Sequence, residues 1–362
     1  MMIRKSTLSQ FFRSELPLIL APMAGGPTTP ELVAAVCNAG ALGSLAAPYL
    51  QPEAIEKQTQ AIHALTEKPF AINLFAPSID PALTKEQISR AVEQTRSYRQ
   101  EFGLPDPKVM APFSENYEEQ FAMVMKLKPA VLSFTFGLLP QKHIHEARAL
   151  GIYVIGTATT FEEAQQLENA GVDAIVLQGV EAGGHRGIFD VTASEPGIGI
   201  MDLIKKCTGR IQLPLIAAGG LMTGSDIAKA LTAGADAVQL GTAFLLCEEA
   251  GTSHPYRQRL EKSQGADTEL TRVFSGRIAR GIKNRFMSEM QPHPEAILPF
   301  PAQNVFTRDL RKASADKGSA DFLSLWAGTG VGQLRAMKAA DLVEVLAAEL
   351  KSCVSNIQQS KR

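Results

Sequence analysis

Short apolar runs alternate along this chain with helix-length stretches whose apolar positions recur on one face, the pattern of repeated β-α units around a buried parallel sheet. Eight runs read as strands, at residues 18–21, 41–45, 70–74, 130–134, 153–156, 174–177, 215–218 and 237–240. A glycine, proline or polar turn follows most of them, and then a helix, as at 30–39, 161–170 and 224–233. Asn169-Ala-Gly-Val-Asp173 and Thr232-Ala-Gly-Ala-Asp236 close their helices with a glycine cap that turns into the next strand. Eight such units favour an α/β TIM (β/α)8 barrel over an open doubly wound sheet.

The repeat is interrupted twice. The predicted organisation is barrel strands one to three over 1–75, an excursion after strand three over 76–128 with a Pro-rich elbow at Leu104-Pro-Asp-Pro107, and strands four to eight over 129–246. Residues 247–327, with few periodic signals, read as a lid or small subdomain, and 328–362 as a C-terminal helix packed on the barrel. Within that last part, Leu334, Met337, Leu342, Val343, Val345 and Leu346 stand at near-helical spacing and predict a helix over 333–353.

Composition narrows the partners. Of 362 residues, 36 are basic and 37 acidic, a net charge of −1 with no basic run to neutralise a phosphate backbone, so nucleic acid is not expected. Cys37, Cys207, Cys247 and Cys353 lie far apart, with no Cys-x-x-Cys and no clustered histidines, and read as reduced core thiols rather than metal ligands or a disulfide framework. Residues 1–8 are too polar for a signal peptide, and no run of roughly 18 apolar residues offers a membrane span. The expectation is a soluble cytoplasmic protein with no membrane partner.

A barrel carries its chemistry at the strand C-termini, and there the unusual residues collect: Met23-Ala-Gly-Gly26, Asn73, residues 178–187, Gly219-Gly220 and Gly241-Thr242. Gly183, Gly184 and Gly187 surround His185 in a stretch too glycine-rich for a structural helix or strand. In an active-site loop His185 titrates near neutral pH and serves as general base or anion partner. The loops at 217–221 and 239–243 lie one β-α unit apart and offer backbone N–H groups for a phosphate cradle, unless they are only tight turns. Asn73 and Gln178 are amides in apolar strands, which a ligand edge or neighbouring backbone must satisfy; an isoalloxazine ring presents such an edge. Arg277, Arg280, Lys283 and Arg285 crowd one short glycine-containing segment, read either as a solvated basic face or as one that binds an anion or fastens the lid.

Taken in order, Leu20-Ala-Pro-Met-Ala-Gly-Gly26, Asn73-Leu-Phe75, Ser133-Phe-Thr-Phe-Gly137, Gln178-Gly-Val-Glu-Ala-Gly-Gly-His-Arg-Gly187, Ala217-Ala-Gly-Gly220, Gln239-Leu-Gly-Thr242 and Ser275-Gly-Arg-Ile-Ala-Arg-Gly281 resemble the nitronate monooxygenases, formerly 2-nitropropane dioxygenases, most of all their class I branch. The resemblance implies non-covalent FMN and oxidation of alkyl nitronates, with propionate 3-nitronate as substrate, by O2 to carbonyl compound and nitrite through a flavin semiquinone. It assigns FMN contacts to Met23, Asn73, Gln178, Gly183, Gly220, Gln239, Leu240, Gly241 and Thr242, makes His185 catalytic, involves no metal, and is compatible with a homodimer. One departure is Thr329, in Trp326-Ala-Gly-Thr-Gly-Val-Gly332, where the family pattern has glutamine. Two other readings share the barrel: an FMN-dependent enoyl-[acyl carrier protein] reductase using NAD(P)H, which has the same Glu-Ala-Gly-Gly-His stretch, and a non-catalytic flavin-binding sensor, which needs no histidine at the mouth.

Overall fold

The structure, a computed structural model, describes residues 16–359. The eight apolar runs each form a strand, with ends shifted by a residue or two: β1 (Leu18–Leu20), β2 (Gly43–Ala46), β3 (Phe70–Phe75), β4 (Val131–Thr135), β5 (Tyr153–Ala158), β6 (Ala174–Gln178), β8 (Leu215–Ala218) and β9 (Ala237–Leu240). Three more, β7 (Gly184–His185), β10 (Thr268–Thr271) and β11 (Ala279–Ile282), make a separate antiparallel sheet. The eight-stranded sheet is parallel, in the order β1-β9-β8-β6-β5-β4-β3-β2. Across the seam a single bridge joins Ile19 to Leu42, with Leu20 N–H donating to Leu42 O (2.8 Å) and Leu42 N–H to Leu18 O (3.0 Å), so the sheet closes into a TIM barrel.

Strand periodicity sorts the side chains into two cores. Ile19, Ala71, Val131, Ile155, Val176 and Ile216 fill the barrel, while their alternates Leu18, Ile72, Leu132, Val154, Ile175 and Leu215 pack under the helices. Carried two residues further, the same periodicity places Asn73, Thr157 and Gln178 above the barrel interior, and Gln239 follows Ala237 in the same way.

The helices are α1 (Pro30–Asn38), α2 (Pro52–Leu65), α3 (Lys85–Phe102), α4 (Tyr117–Leu127), α5 (Gln141–Ala149), α6 (Phe161–Ala170), α7 (Ile200–Cys207), α8 (Gly224–Ala233), α9 (His254–Glu261), α10 (Arg285–Met290), α11 (Ala302–Phe306), α12 (Arg308–Asp316) and α13 (Ala339–Gln359). Threonine caps four of them: Thr29, Thr84, Thr160 and Thr223 each accept a hydrogen bond from a first-turn N–H. Helix α4 packs on β3 and α2, inside the stretch read as an excursion, and takes the helix position between β3 and β4. Helix α3 instead leaves the barrel to pack on α12, where Arg99 of α3 pairs with Asp309 at 2.7 Å. Its Tyr98 joins Val273, Phe274, Phe286, Met287 and Phe322 in a core apart from that of the barrel.

Helix α13 lies across α8 and α1, completing the outer ring. It begins at Ala339, later than the predicted 333, because the apolar period runs on through Leu334 and Met337 while the helix start is set by a distant group. The Glu249 carboxylate accepts from Ala339 N–H at 2.9 Å, and 331–333 form only a short 3-10 turn. Burial raises the pKa of the Cys37, Cys207 and Cys247 thiols to about 11, 11 and 12. Among the described residues no helix is long and apolar enough to cross a membrane, and no group of three or more His, Cys, Asp or Glu side chains is placed to hold a metal ion. Residues 1–8, read for a leader, lie outside the described residues.

Replacing Glu249 by Ala removes the cap of α13. The expected cost is about 1 kcal/mol, seen calorimetrically as a midpoint lowered by roughly 2 °C; an unchanged midpoint would mean that solvent caps the helix equally well.

Candidate active site

The inward strand-end residues open into a cavity of about 470 Å³ at the C-terminal mouth of the barrel, within the range of small-molecule sites. Its floor is polar. Asn73, 5% exposed, donates from Nδ2 to Ser133 Oγ at 3.0 Å and leaves Oδ1 and its second N–H for a ligand. The Gln239 side chain lines the cavity and finds no hydrogen-bond partner among the described residues. Thr252 Oγ1 is buried beside it, also without a partner. Gly25 and Gly184 have positive φ (88° and 77°) and open space where a Cβ would stand. Unspent amides with bare backbone around them fit the edge of a flat heterocycle.

Of the site residues predicted from sequence, the cavity brings together Met23, Asn73, Gln178, Gly183, His185, Gln239, Gly241 and Thr242. Leu240 does not reach it and is turned into the core at 1% exposure, as the strand period requires of Gln239's neighbour. Gly220 also stands back, against Glu181 and Thr329. Here the tail 326–332 closes over the glycine loops, backbone against backbone: a Cβ on Gly183 would come within 2.4 Å of Gly328 N, and Thr242 Oγ1 accepts from that N–H at 3.0 Å. Thr329 N–H donates to Glu181 O at 3.0 Å, so the departure from glutamine falls inside this closure.

The loop after β6 is held by a buried arginine. Arg186, 0% exposed, donates from Nε and Nη2 to the Glu195 carboxylate (2.7 and 3.3 Å), from Nη1 to Gln178 Oε1 (2.6 Å) and Gly179 O (2.7 Å), and from Nη2 to Gln178 O (3.1 Å). Gly187 N–H also donates to Gln178 Oε1 (2.8 Å), and Gln178 Nε2 donates to His185 O (3.0 Å). Gln178 therefore spends its carbonyl and one N–H on the loop, leaving one N–H for a ligand.

Despite its glycines, the loop contains a strand. Gly184 and His185 pair with Arg280 and Ala279 of β11, because the partner chain comes from 90 residues away and no local propensity is needed. The basic segment divides: Arg277 and Arg280 fasten it to the histidine loop, while Lys283 and Arg285 stay exposed and pair with Glu269 and Glu101. Arg277, 5% exposed, donates to Ile188 O and lies 3.8 Å over the Phe136 ring; Arg280 donates to Val180 O at 2.9 Å. Phe136 itself sits at φ 78°, a strained position for a non-glycine residue.

His185 is half-buried, ringed by Trp326 (5.3 Å), Phe136 (6.0 Å) and Phe300 (6.2 Å), with Nε2 2.8 Å from Ser275 Oγ. Desolvation, then the charges of Arg277 and Arg311, lower its pKa to about 3. The near-neutral titration expected of a loop histidine is overturned: this imidazole is neutral throughout the ordinary pH range. Residues that sequence reasoning did not single out also line the cavity, among them Tyr49, Arg308 and Arg311. No Asp or Glu does.

Known proteins share the sequence pattern and the fold of this chain. The sequence profile of the family described as "Nitronate monooxygenase" matches residues 5–349. A "Probable nitronate monooxygenase" of Staphylococcus saprophyticus is 39% identical over 330 residues, covering 91% of this chain and 92% of the relative. A solved nitroalkane oxidase from Streptomyces ansochromogenes superposes with a TM-score of 0.90 at 38% identity, covering 97% of this chain and 99% of the other. FabK from Thermotoga maritima shares the fold, with a TM-score of 0.75 at 24% identity and 98% coverage of both chains.

Arg186→Met should leave the Glu195 carboxylate, 11% exposed, without its partner, at an expected cost of about 3 kcal/mol in urea unfolding. Adding Glu195→Gln in the same chain should recover part of that loss; equal losses in the single and double variants would show that packing, not charge, holds the loop.

Proposed function

The chain belongs to the nitronate monooxygenase family of oxidoreductases, and from that premise we propose that it binds FMN in the barrel mouth and oxidises alkyl nitronates, propionate 3-nitronate among them, with O2 to carbonyl compound and nitrite. The single observation that carries the reading is His185, its pKa held far below the usual histidine range, in a cavity whose only charged lining groups among the described residues are cations. Such a site attracts an anion, and its histidine stays unprotonated beside it.

The glycine loops at Gly183, Gly241 and Thr242 would hold the FMN phosphate with backbone N–H groups, Asn73, Gln178 and Gln239 would meet the ring edge, and Met23, whose Sδ stands by Gly241, would lie against the ring. Bound FMN supplies the electron acceptor. The protein's part is to hold the substrate against it, keep water out with the aromatic wall, and manage one proton. In the overall change two nitronates and one O2 give two carbonyl compounds and two nitrites: each C–N bond breaks with nitrite as the leaving group, and each carbon takes one oxygen atom.

Ser275 sets which nitrogen of His185 carries that proton. Its hydroxyl stands 2.8 Å from Nε2 and 3.2 Å from Arg277 O, and has one hydrogen to donate to either. Given to Arg277 O, it leaves Nε2–H donating to Ser275 and Nδ1 as a base for the α-proton of a neutral nitroalkane. Given to Nε2, it leaves Nδ1–H as a donor to the anionic nitronate.

The test is oxygen uptake and nitrite release by the purified protein with propionate 3-nitronate, without NADH. Rapid turnover is expected; bound flavin with no turnover, but NADH consumption with an enoyl thioester, would move the protein to the reductase class. His185→Asn should lose about 100-fold in kcat/KM with nitroethane and far less with ethyl nitronate, since only the neutral substrate needs a base. Equal losses with both would remove the base role.

A further inference from the structure

Phe136 occupies a turn that would suit glycine. It follows the last residue of β4 at φ 78°, and its neighbour Gly137 stands at φ 131°. Glycine takes such a turn freely, whereas a side chain there is strained. The chain nevertheless places a large ring at this point, and the ring lines the cavity.

What holds the ring is a buried cation that pairs with no carboxylate among the described residues. Arg277, 5% exposed, donates from Nε to Arg186 O (3.4 Å) and from Nη2 to Ile188 O, so two backbone carbonyls pin its plane. Its guanidinium carbon lies 3.8 Å over the Phe136 ring and 5.6 Å over that of Phe300. A guanidinium drawn out of water is attracted to a ring face and loses that attraction if the ring swings away. Phe75 at 4.4 Å and Phe300 at 5.7 Å pack against the same ring. Strain in the backbone is thus opposed by the clamp on the side chain, and Phe136 stays at the cavity surface.

A substrate served by His185 has its α-carbon beside the imidazole. Of the three rings around that imidazole, Phe136 and Trp326 line the cavity and Phe300 does not. Trp326 belongs to the closure of the lid: it bridges to Gly281, meets Phe274 edge-on at 5.4 Å, and its carbonyl accepts from the Tyr256 hydroxyl. The cavity also has an apolar limb, where Met23, Leu245, Tyr256, Ala315 and Leu323 pack as one cluster to which Phe136 does not belong. A nitronate is flat about its α-carbon and has two substituent positions there. The limb can take a chain at one of them, and the other then meets an aromatic wall.

We propose that Phe136 is a specificity-determining residue that restricts the second position on the α-carbon to hydrogen, so that primary nitronates are preferred to secondary ones, and that Arg277 is the positioning residue that keeps the ring in place. That the reacting group is a nitronate rests on the reading above; the wall itself does not.

Two measurements test the wall. Propyl-1-nitronate and propyl-2-nitronate are isomers that differ in whether the α-carbon carries one carbon substituent or two. Phe136→Ala should raise kcat/KM for the branched isomer relative to the straight one about tenfold, and Phe136→Leu and Arg277→Met should shift the ratio the same way by less. Should Phe136→Ala not fold, Phe136→Leu carries the comparison. A proportional fall with both isomers, which a merely structural ring would give, overturns the proposal. The second measurement is calorimetric binding of crotonate and methacrylate to the purified protein, two planar carboxylates with the carbon skeletons of the straight and branched nitronates. The parent protein should prefer crotonate, and the Phe136 variants should lose that preference. This result upholds the wall even if no nitronate is oxidised, in which case the activity reading alone falls. Equal affinities in the parent, binding of neither acid, or a preference that survives in both Phe136 variants overturns the wall whatever the turnover.

Discussion

A guanidinium in a protein interior has five N–H donors and no acceptor, and it is stable there only when every donor is used. Arg186 meets that condition, with Glu195 taking two, Gln178 two and Gly179 one. Because its partners lie at the end of β6 and beyond the histidine loop, satisfying the arginine fixes the path of the chain between them. His185, its immediate neighbour, is thereby delivered to the cavity with its carbonyl held by Gln178 and its N–H side open to β11. Ala279 and Arg280 of β11 pair with the edge so formed. Orientation of the imidazole, the close approach of the aromatic wall and the seal over the mouth all follow from that one buried charge.

The electrostatic character of the mouth has the same origin. The Glu195 carboxylate is consumed by Arg186, Glu163 by the Thr159 and Phe189 backbone, and Glu181 by Ile200 N–H, so the acids nearest the loop face away from the cavity. Arginines face it uncompensated. An imidazole among cations, in a partly dry site, stays neutral, and a neutral imidazole offers one hydrogen-bond donor and one acceptor without presenting a net charge to the substrate.

The barrel was legible from sequence because its signal is local. A run such as 174–177 is apolar on both faces, too short for a helix and bounded by turn residues, and these properties survive in any surroundings. Asn73 and Gln178 were legible for the related reason that amides in apolar strands are anomalous, and His185 because glycines surround it. What escaped was every property that needs two distant pieces of chain. Nothing near Arg186 announces that it is buried, since its acceptors, Glu195, Gln178 and Gly179, lie seven to nine residues away and two of the five are backbone carbonyls. Arg308 and Arg311 sit in a helix with Lys312 and Lys317 close by, and only the docking of α12 through Asp309 decides which cations face the cavity. The protonation of His185 was misjudged because burial comes from Phe136, Phe300 and Trp326, on three separate segments.

The seam of the barrel bears on how the chain is made. β1 takes its full ladder from β9, pairing Leu18 with Val238, and shares only one bridge with its sequence neighbour β2. On a ribosome, therefore, the first strand is finished long before its partner exists. At about 5–20 residues per second the interval from β2 to β9 lasts roughly 10–40 s, during which an apolar Leu-Ile-Leu edge has nothing to pair with. Nascent chains in the same polysome are the competing partners in that interval, so yield in a cell depends on translation rate and chaperone supply as much as on the stability of the finished barrel.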